Sequence, residues 1–308
     1  MAKFLKVNSP DAGIAEERKT CPLCGGTGSN LFDRRDFRGQ TVINWLCLRC
    51  GCVYQYPHLE GKALEDFYEQ EYRQLYQGSE GPSPKDLAVQ EERAVALQDF
   101  IQRHGARFSS HLDIGSSAGL LLRQFQTAFN SQGIGIEPGD AYRQSAQESG
   151  IVTYATLQEL NEFGETRFDL ISLAHVLEHL PDPTGFLQNL RQKYLAASGW
   201  LLVEVPNLYA HDCFETAHLV SFSEHTIRQT IHRAGFSVKA LEKHGRPRSK
   251  RIPLYLTVLA QPRQAVENYA DIPMKKEFGV RWRRRIGFFH RRLIERFMHS
   301  QAWKLVGQ

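Results

Sequence analysis

The 308-residue chain has no unbroken apolar stretch of about 18 residues, the least that crosses a bilayer as a helix. Its N-terminus, Met1-Ala2-Lys3-Phe4-Leu5-Lys6, lacks the apolar core of a secretory signal. A membrane-spanning protein and a secreted one are both set aside, and a cytoplasmic location is expected. Excess charge is also scarce: 38 Lys and Arg face 34 Asp and Glu, and a net +4 is too little by itself to argue for nucleic acid. Repeats and low-complexity tracts are absent. The first loop of the main domain is not the G-x-G-x-x-G that seats a pyrophosphate. Asp113 precedes the first glycine and Ser117 stands where such a loop has another, which excludes a nicotinamide dehydrogenase.

Only six cysteines occur, and four of them fall in two C-x-x-C pairs, which suggests metal in a reducing compartment rather than disulfides. Cys21-Pro22-Leu23-Cys24-Gly25 and Cys47-Leu48-Arg49-Cys50-Gly51 each turn two thiolates around a glycine. Four thiolates at tetrahedral spacing suit a structural Zn2+ held by Cys21, Cys24, Cys47 and Cys50. Residues 25–46 make a gap slightly longer than the usual ~15–20, which a hairpin between the knuckles absorbs. Such a site contributes on the order of 10 kcal/mol to folding in small modules. With four cysteines it has no open position for water, so it is expected to be structural. Cys52 is expected to lie beside it.

A breaker cluster, Gly78-Ser79-Glu80-Gly81-Pro82-Ser83-Pro84, marks a boundary. The expected organisation is therefore a cysteine-bearing segment (1–77), a main domain (78–262) and a basic tail (263–308). In the main domain an amphipathic helix over residues 85–104 precedes alternating strands and helices. Strands are expected near 109–114, 133–137, 151–155, 168–174, 199–205, 237–242 and 253–260. Alternation of this kind predicts an α/β fold with a doubly wound, mostly parallel seven-stranded sheet. His111-Leu112-Asp113-Ile114-Gly115-Ser116-Ser117-Ala118-Gly119 reads as strand, tight loop and the start of a helix near Ala118. Glu137 ends the next strand, roughly 20 residues on, where an acid accepts ribose hydroxyls.

Asp-x-Gly in the first loop, Glu137, "FDLISLAHVLEHLPDP" and "GWLLVEVPN" together resemble the successive motifs of class I S-adenosylmethionine-dependent methyltransferases, over about residues 85–262. With the cysteine pairs, the chain resembles a subgroup that carries an N-terminal zinc ribbon and modifies sugars, glycan intermediates and natural products. The resemblance implies S-adenosyl-L-methionine as cofactor, bound by Asp113, Gly115, Ser116, Gly119, Glu137, Pro138, Leu157, Ala174 and His175. Asp113 would organise the methionine end and Glu137 the ribose. Methyl transfer to a hydroxyl also needs a base. His218, in Ala217-His218-Leu219-Val220-Ser221-Phe222-Ser223, matches a His-x-x-x-Phe-Ser element of the subgroup and is the first candidate; His175 is the second, with Glu178 and His211 behind. His175 and His179, four apart, would share a face if helical, and Ser223 would cap the next helix. Glu178 and His179 are weak metal candidates without a third ligand in the motif. Phe67, Tyr68, Tyr72 and Tyr76 would wall a pocket or pack the ribbon on the main domain.

The expected product is a methylated hydroxyl on a small-molecule or glycan acceptor, with O-methylation favoured over C-methylation. An RNA methyltransferase is disfavoured, because no Asn-Pro-Pro-Tyr-type motif is present. A non-catalytic module keeping the fold is the remaining alternative. In the tail, Trp282, Ile286, Phe289, Leu293 and Phe297 form a helical stripe among arginines. Either the stripe packs on the domain with the arginines outside, or the helix lies on an anionic membrane surface.

Overall fold

The computed structural model describes residues 20–58, 81–162, 167–263 and 272–304. The expectation for Phe67, Tyr68, Tyr72 and Tyr76 falls outside them. The chain opens with β1 (Ser29–Phe37) and β2 (Gln40–Cys47), a hairpin closed by Arg38 and Gly39 at φ of 53° and 81°. Two successive positive-φ residues twist the turn to match the strands. This hairpin fills the gap between the cysteine pairs. The short β3 (Val53–Gln55) follows.

A 21-residue helix, α1 (Pro84–His104), starts where the breaker cluster ends. Ser83 and Asp86 cap it reciprocally, Pro84 sets its first φ, and Gly105 ends it in the left-handed region. Then come β4 (Ser110–Ile114), α2 (Leu120–Phe129), β5 (Gln132–Ile136), α3 (Asp140–Glu148), β6 (Val152–Tyr154), α4 (Leu157–Glu162) and β7 (Phe168–Ala174). The chain continues through α5 (Pro183–Lys193), β8 (Leu195–Pro206), β9 (Val220–Ser221), α6 (Glu224–Arg233), β10 (Phe236–His244) and β11 (Tyr255–Pro262). It finishes with α7 (Val280–Phe297) and α8 (His299–Ala302).

Seven strands form one sheet in the order β10-β11-β8-β7-β4-β5-β6. The contacts β4–β5, β4–β7, β5–β6 and β7–β8 are parallel, and β11 runs antiparallel between β8 and β10. The strands send alternate residues to opposite faces. Leu170 and Leu202 pack with Leu97, Phe100 and Ile101 of α1 and Phe125 of α2, whereas Ile171, Leu173 and Val203 pack with Leu187 of α5 and Ile227 and Ile231 of α6. The α/β, mostly parallel fold expected from the sequence is the one observed.

A second sheet has the order β1-β2-β3-β9, so a strand of the main domain completes the cysteine-bearing hairpin. Val53 pairs with Ser221 and Tyr54 with Val220. Cys21, Leu23, Cys47, Cys50 and Tyr54 also belong to the same buried cluster as Val205, Leu219 and Phe222. The cysteine-bearing hairpin therefore shares both a sheet and a core with the elements that follow it.

Three local expectations are corrected. The helix after the first loop begins at Leu120, not near Ala118, because Gly119 takes φ +73° as its cap. His175 and His179 do not share a helix: His175 has φ +59°, and only Leu177–His179 makes a single 3-10 turn. In α7 the apolar stripe is not packed on the domain. Trp282, Ile286, Phe289 and Phe297 are each more than 60% exposed. Instead Arg284 and Arg291 turn inward: Arg284 lies 4.1 Å from the Phe214 ring centroid, and Arg291 Nη1 donates to Ala210 O at 3.1 Å. Gly287 makes this seat possible, since a Cβ there would collide with the Tyr209 carbonyl.

Candidate active site

The C-terminal ends of β4, β5, β7 and β8 open into a cleft of about 990 Å³, roofed by Asp86, Val89, Gln90, Arg93, Ala94 and Leu97 of α1. Ligands bind at this edge of open parallel sheets. Asp113, Gly115, Ser116, Glu137, Pro138, Leu157, Ala174, His175 and His218 all line it. Gly119, expected with them, is not among its lining residues. It packs against Ile151 and donates its N–H to Ser116 O at 2.9 Å, so it shapes the loop from behind.

The loop is tightly specified. Gly115 has φ +72°, and a Cβ there would stand 2.6 Å from Val176 Cγ2. Ser117 also sits in the left-handed region, at φ +52°. That conformation aims its N–H at Glu137 Oε2 over 2.9 Å, and Gly139 N–H reaches Oε1 over 2.9 Å. Both oxygens of this buried carboxylate are thus fixed by backbone. Asp113 is held by a relay from below: His111 Nε2 lies 2.6 Å from Ser172 Oγ, which donates to Asp113 Oδ1. Burial pushes the Asp113 carboxyl up to about 7, with Glu137 adding to the rise and Ser172 opposing it. Burial alone pushes His111 down to about 3, which keeps it neutral.

Around His175 lies a network that sequence reasoning missed. Glu204, fully buried in β8, accepts from Arg93 Nε at 2.9 Å, and His175 Nε2, Thr257 Oγ1 and His244 Nε2 stand within 3.3 Å of its oxygens. Burial opposes ionisation of Glu204, but His175, His244 and Arg93 outweigh it and hold the carboxyl well below its ordinary value. Glu204 thereby ties the roof helix to the strand edge. Its signal in the sequence was an acid between Val203 and Val205, the middle of an apolar strand.

His218 is buried, with Nδ1 3.0 Å from Cys213 O and Nε2 2.8 Å from Glu215 Oε1. Burial disfavours its charge, yet Glu215 beside it lifts the imidazole above its ordinary value. His179 stacks edge-on against it with ring centroids 4.9 Å apart. Burial pushes His179 down to about 4, Glu178 notwithstanding. His211 also lines the cleft, and burial holds it well below its ordinary value.

In the ribbon, Cys21 Sγ lies 3.7 Å from Cys50 Sγ, and Cys24 Sγ lies 3.5 Å from Cys47 Sγ. All four sulfurs are within 4.8 Å of one another. A zinc tetrahedron with Zn–S bonds of ~2.3 Å has edges of ~3.8 Å, so the four cysteines fit that ion. Cys52 is buried nearby and stays outside the cluster.

Comparison with known proteins agrees with this geometry. A family model described as a methyltransferase domain matches residues 89–241. The chain is 30% identical over 105 residues to a ubiquinone biosynthesis O-methyltransferase of Actinobacillus pleuropneumoniae serotype 7 (strain AP76), covering 30% of this chain and 45% of that protein. The match thus spans less than half of that relative's length. Among solved structures, the fold resembles a 1,6-didemethyltoxoflavin-N1-methyltransferase of Burkholderia thailandensis, solved with 1,6-didemethyltoxoflavin and S-adenosylhomocysteine. That likeness has a TM-score of 0.55 and 16% identity, over 76% of this chain and 100% of that one. With the strand order, the Asp113–Gly115 loop and Glu137 in place, these matches identify the chain as carrying a class I S-adenosylmethionine-dependent methyltransferase domain.

Proposed function

We propose that the protein transfers the methyl group of S-adenosylmethionine to a hydroxyl oxygen of a sugar, a glycan intermediate or a related small molecule. The supporting observation is that the His218–Glu215 pair lines the same cleft as Asp113 and Glu137. When bound, the sulfonium supplies an electrophilic methyl carbon. The chain's own residues do the rest. Glu137 takes the ribose hydroxyls, Asp113 faces the methionine end, and Leu157 borders the adenine. Charge-assisted hydrogen bonds of this kind contribute roughly 1.5–3 kcal/mol each. A hydroxyl acceptor must lose a proton as it attacks, and the His218–Glu215 pair receives it. His175, whose ring nitrogens each stand 3.2 Å from a carboxylate oxygen, is the second candidate.

Zn2+ on Cys21, Cys24, Cys47 and Cys50 stabilises the ribbon and takes no part in methyl transfer. The O-methyltransferase activity of the curated relative is in keeping with a hydroxyl acceptor. The exposed face of α7, with Trp282, Ile286, Phe289 and Phe297 beside the exposed arginines Arg285, Arg292 and Arg296, suits peripheral contact with an anionic membrane surface.

The test is transfer of labelled methyl from S-adenosylmethionine into host-cell extract, divided into small polar, lipid-soluble and nuclease-sensitive fractions. Label in the polar or lipid fraction is expected. Label lost on nuclease treatment would make RNA the acceptor and overturn the proposal.

A further inference from the structure

Beside the cleft, three buried side chains converge in the manner of a cation site. His179 and His218 each set Nδ1 on a backbone carbonyl, Ala217 O at 2.9 Å and Cys213 O at 3.0 Å. A carbonyl accepts only from an N–H, so Nε2 is the atom each ring can offer an ion; on His218 the ion displaces the proton that faces Glu215 Oε1, 2.8 Å away. Metal-bound histidines are oriented by this kind of outer hydrogen bond. Glu178 supplies the third donor. It is 1% exposed, and no hydrogen bond reaches either of its carboxylate oxygens. His175 Nδ1 stands 3.2 Å from Oε1 without the alignment of one. That single contact leaves the other oxygen of a buried carboxylate uncompensated, a cost that a coordinated metal ion would offset. One donor atom from each of Glu178, His179 and His218 lies within 4.8 Å of the others.

We infer that Glu178, His179 and His218 bind a divalent transition-metal ion with two imidazoles and one carboxylate. That donor set suits Zn2+, Co2+ or Ni2+ better than Mg2+, which prefers oxygen ligands throughout. Three protein ligands leave coordination positions open, and His179 and His218 line the cleft. The role of the ion rests on the methyl-transfer reading above, although its binding does not. An acceptor hydroxyl coordinated there becomes more acidic. Its O–H proton passes to Glu215, whose Oε1 is 2.8 Å from His218 Nε2. The O–CH3 bond forms as the CH3–S bond breaks, and that electron pair returns to sulfur. His218 then acts as a ligand, and Glu215 alone takes the proton.

The experiment uses the full chain, stripped with chelator and titrated with Co2+. Thiolate-to-cobalt charge transfer in the near ultraviolet reports the four-cysteine site, and total cobalt per chain reports both sites. Wild type is expected to bind two equivalents, only one of them with the thiolate band. Glu178→Gln and His218→Gln should each weaken the other equivalent at least tenfold and keep the thiolate-banded one, which also shows that they fold. A wild type that binds only the thiolate-banded equivalent overturns the inference. So do variants that bind both as well as wild type. Methyl transfer separates the two readings. If activity persists without the second equivalent, the metal's role falls and the His218–Glu215 pair stands as base. If the second equivalent binds and no label is transferred to any fraction, the metal site stands and the methyl-transfer reading falls.

Discussion

Gln55 donates its backbone N–H to the carbonyl of Leu219 over 2.9 Å, one residue after His218. The pairings Val53–Ser221 and Tyr54–Val220 lead up to this bond, so β3 braces the loop that carries His218 and Glu215. The four-cysteine cluster is thereby joined to the side of the cleft lined by His218 and Glu215. The side lined by Asp113 and Glu137 is built on β4 and β5, in the other sheet.

That separation has a measurable consequence. Gln55→Pro removes the N–H donor, and Cys47→Ser removes a thiolate. Each should lower the melting temperature and reduce kcat/KM at least tenfold, while S-adenosylhomocysteine affinity changes less than threefold. Calorimetric titration beside methyl-transfer rates checks this. An equal loss of cofactor binding would mean that the ribbon supports the whole domain.

If Asp113 faces the cofactor as proposed, cofactor binding should depend on pH. Its carboxyl titrates near 7 in the folded, cofactor-free chain, against an ordinary value of 3.8. The folded state therefore holds this proton more tightly than the unfolded one. The stability that follows is fully present below about pH 4 and is lost as pH rises through about 7. A cationic methionine end favours the carboxylate, so affinity for S-adenosylmethionine should rise between pH 6 and pH 8. Asp113→Asn should weaken binding at pH 8 at least tenfold and flatten the dependence. A pH-independent affinity in wild type would contradict this account.

The two left-handed positions of the loop should respond differently. Gly115→Ala brings a Cβ against Val176 at a positive φ, and should cost about 1–3 kcal/mol with loss of cofactor affinity. Ser117 contributes its N–H to Glu137, while its hydroxyl, though buried, has no hydrogen-bond partner. Ser117→Gly should therefore change stability by no more than about 1 kcal/mol, relief at φ being offset by backbone entropy. Chemical denaturation of both variants decides it.

The outward face of α7 can be altered without touching the core. Trp282→Ser, Ile286→Ser and Phe289→Ser together should leave the melting temperature within about 2 °C of wild type. The triple variant should no longer pellet with anionic liposomes. Equal pelleting of both proteins would remove the membrane-surface proposal.

Much of this was legible in the chain itself. The alternation of apolar strands and helices, the breaker cluster before Pro84 and the acid at Glu137 are local signals, set by periodicity and turn chemistry, and the sheet follows them closely. The cysteine pairs likewise announce a tetrahedral cluster through spacing alone. Glu204 was not recognised, because its partners Arg93, His175, His244 and Thr257 come from four other segments.

What the sequence determined by itself was the order of elements, the loop after β4 and the four sulfur donors, since each depends on residues close together in the chain. Only the tertiary structure decided that Glu178, His179 and His218 converge, that β9 leaves the main sheet to complete the ribbon, and that α7 turns arginines inward and aromatics outward. These outcomes depend on which distant segments meet. Burial and backbone pairing then select one partner among several that the same local pattern would accept.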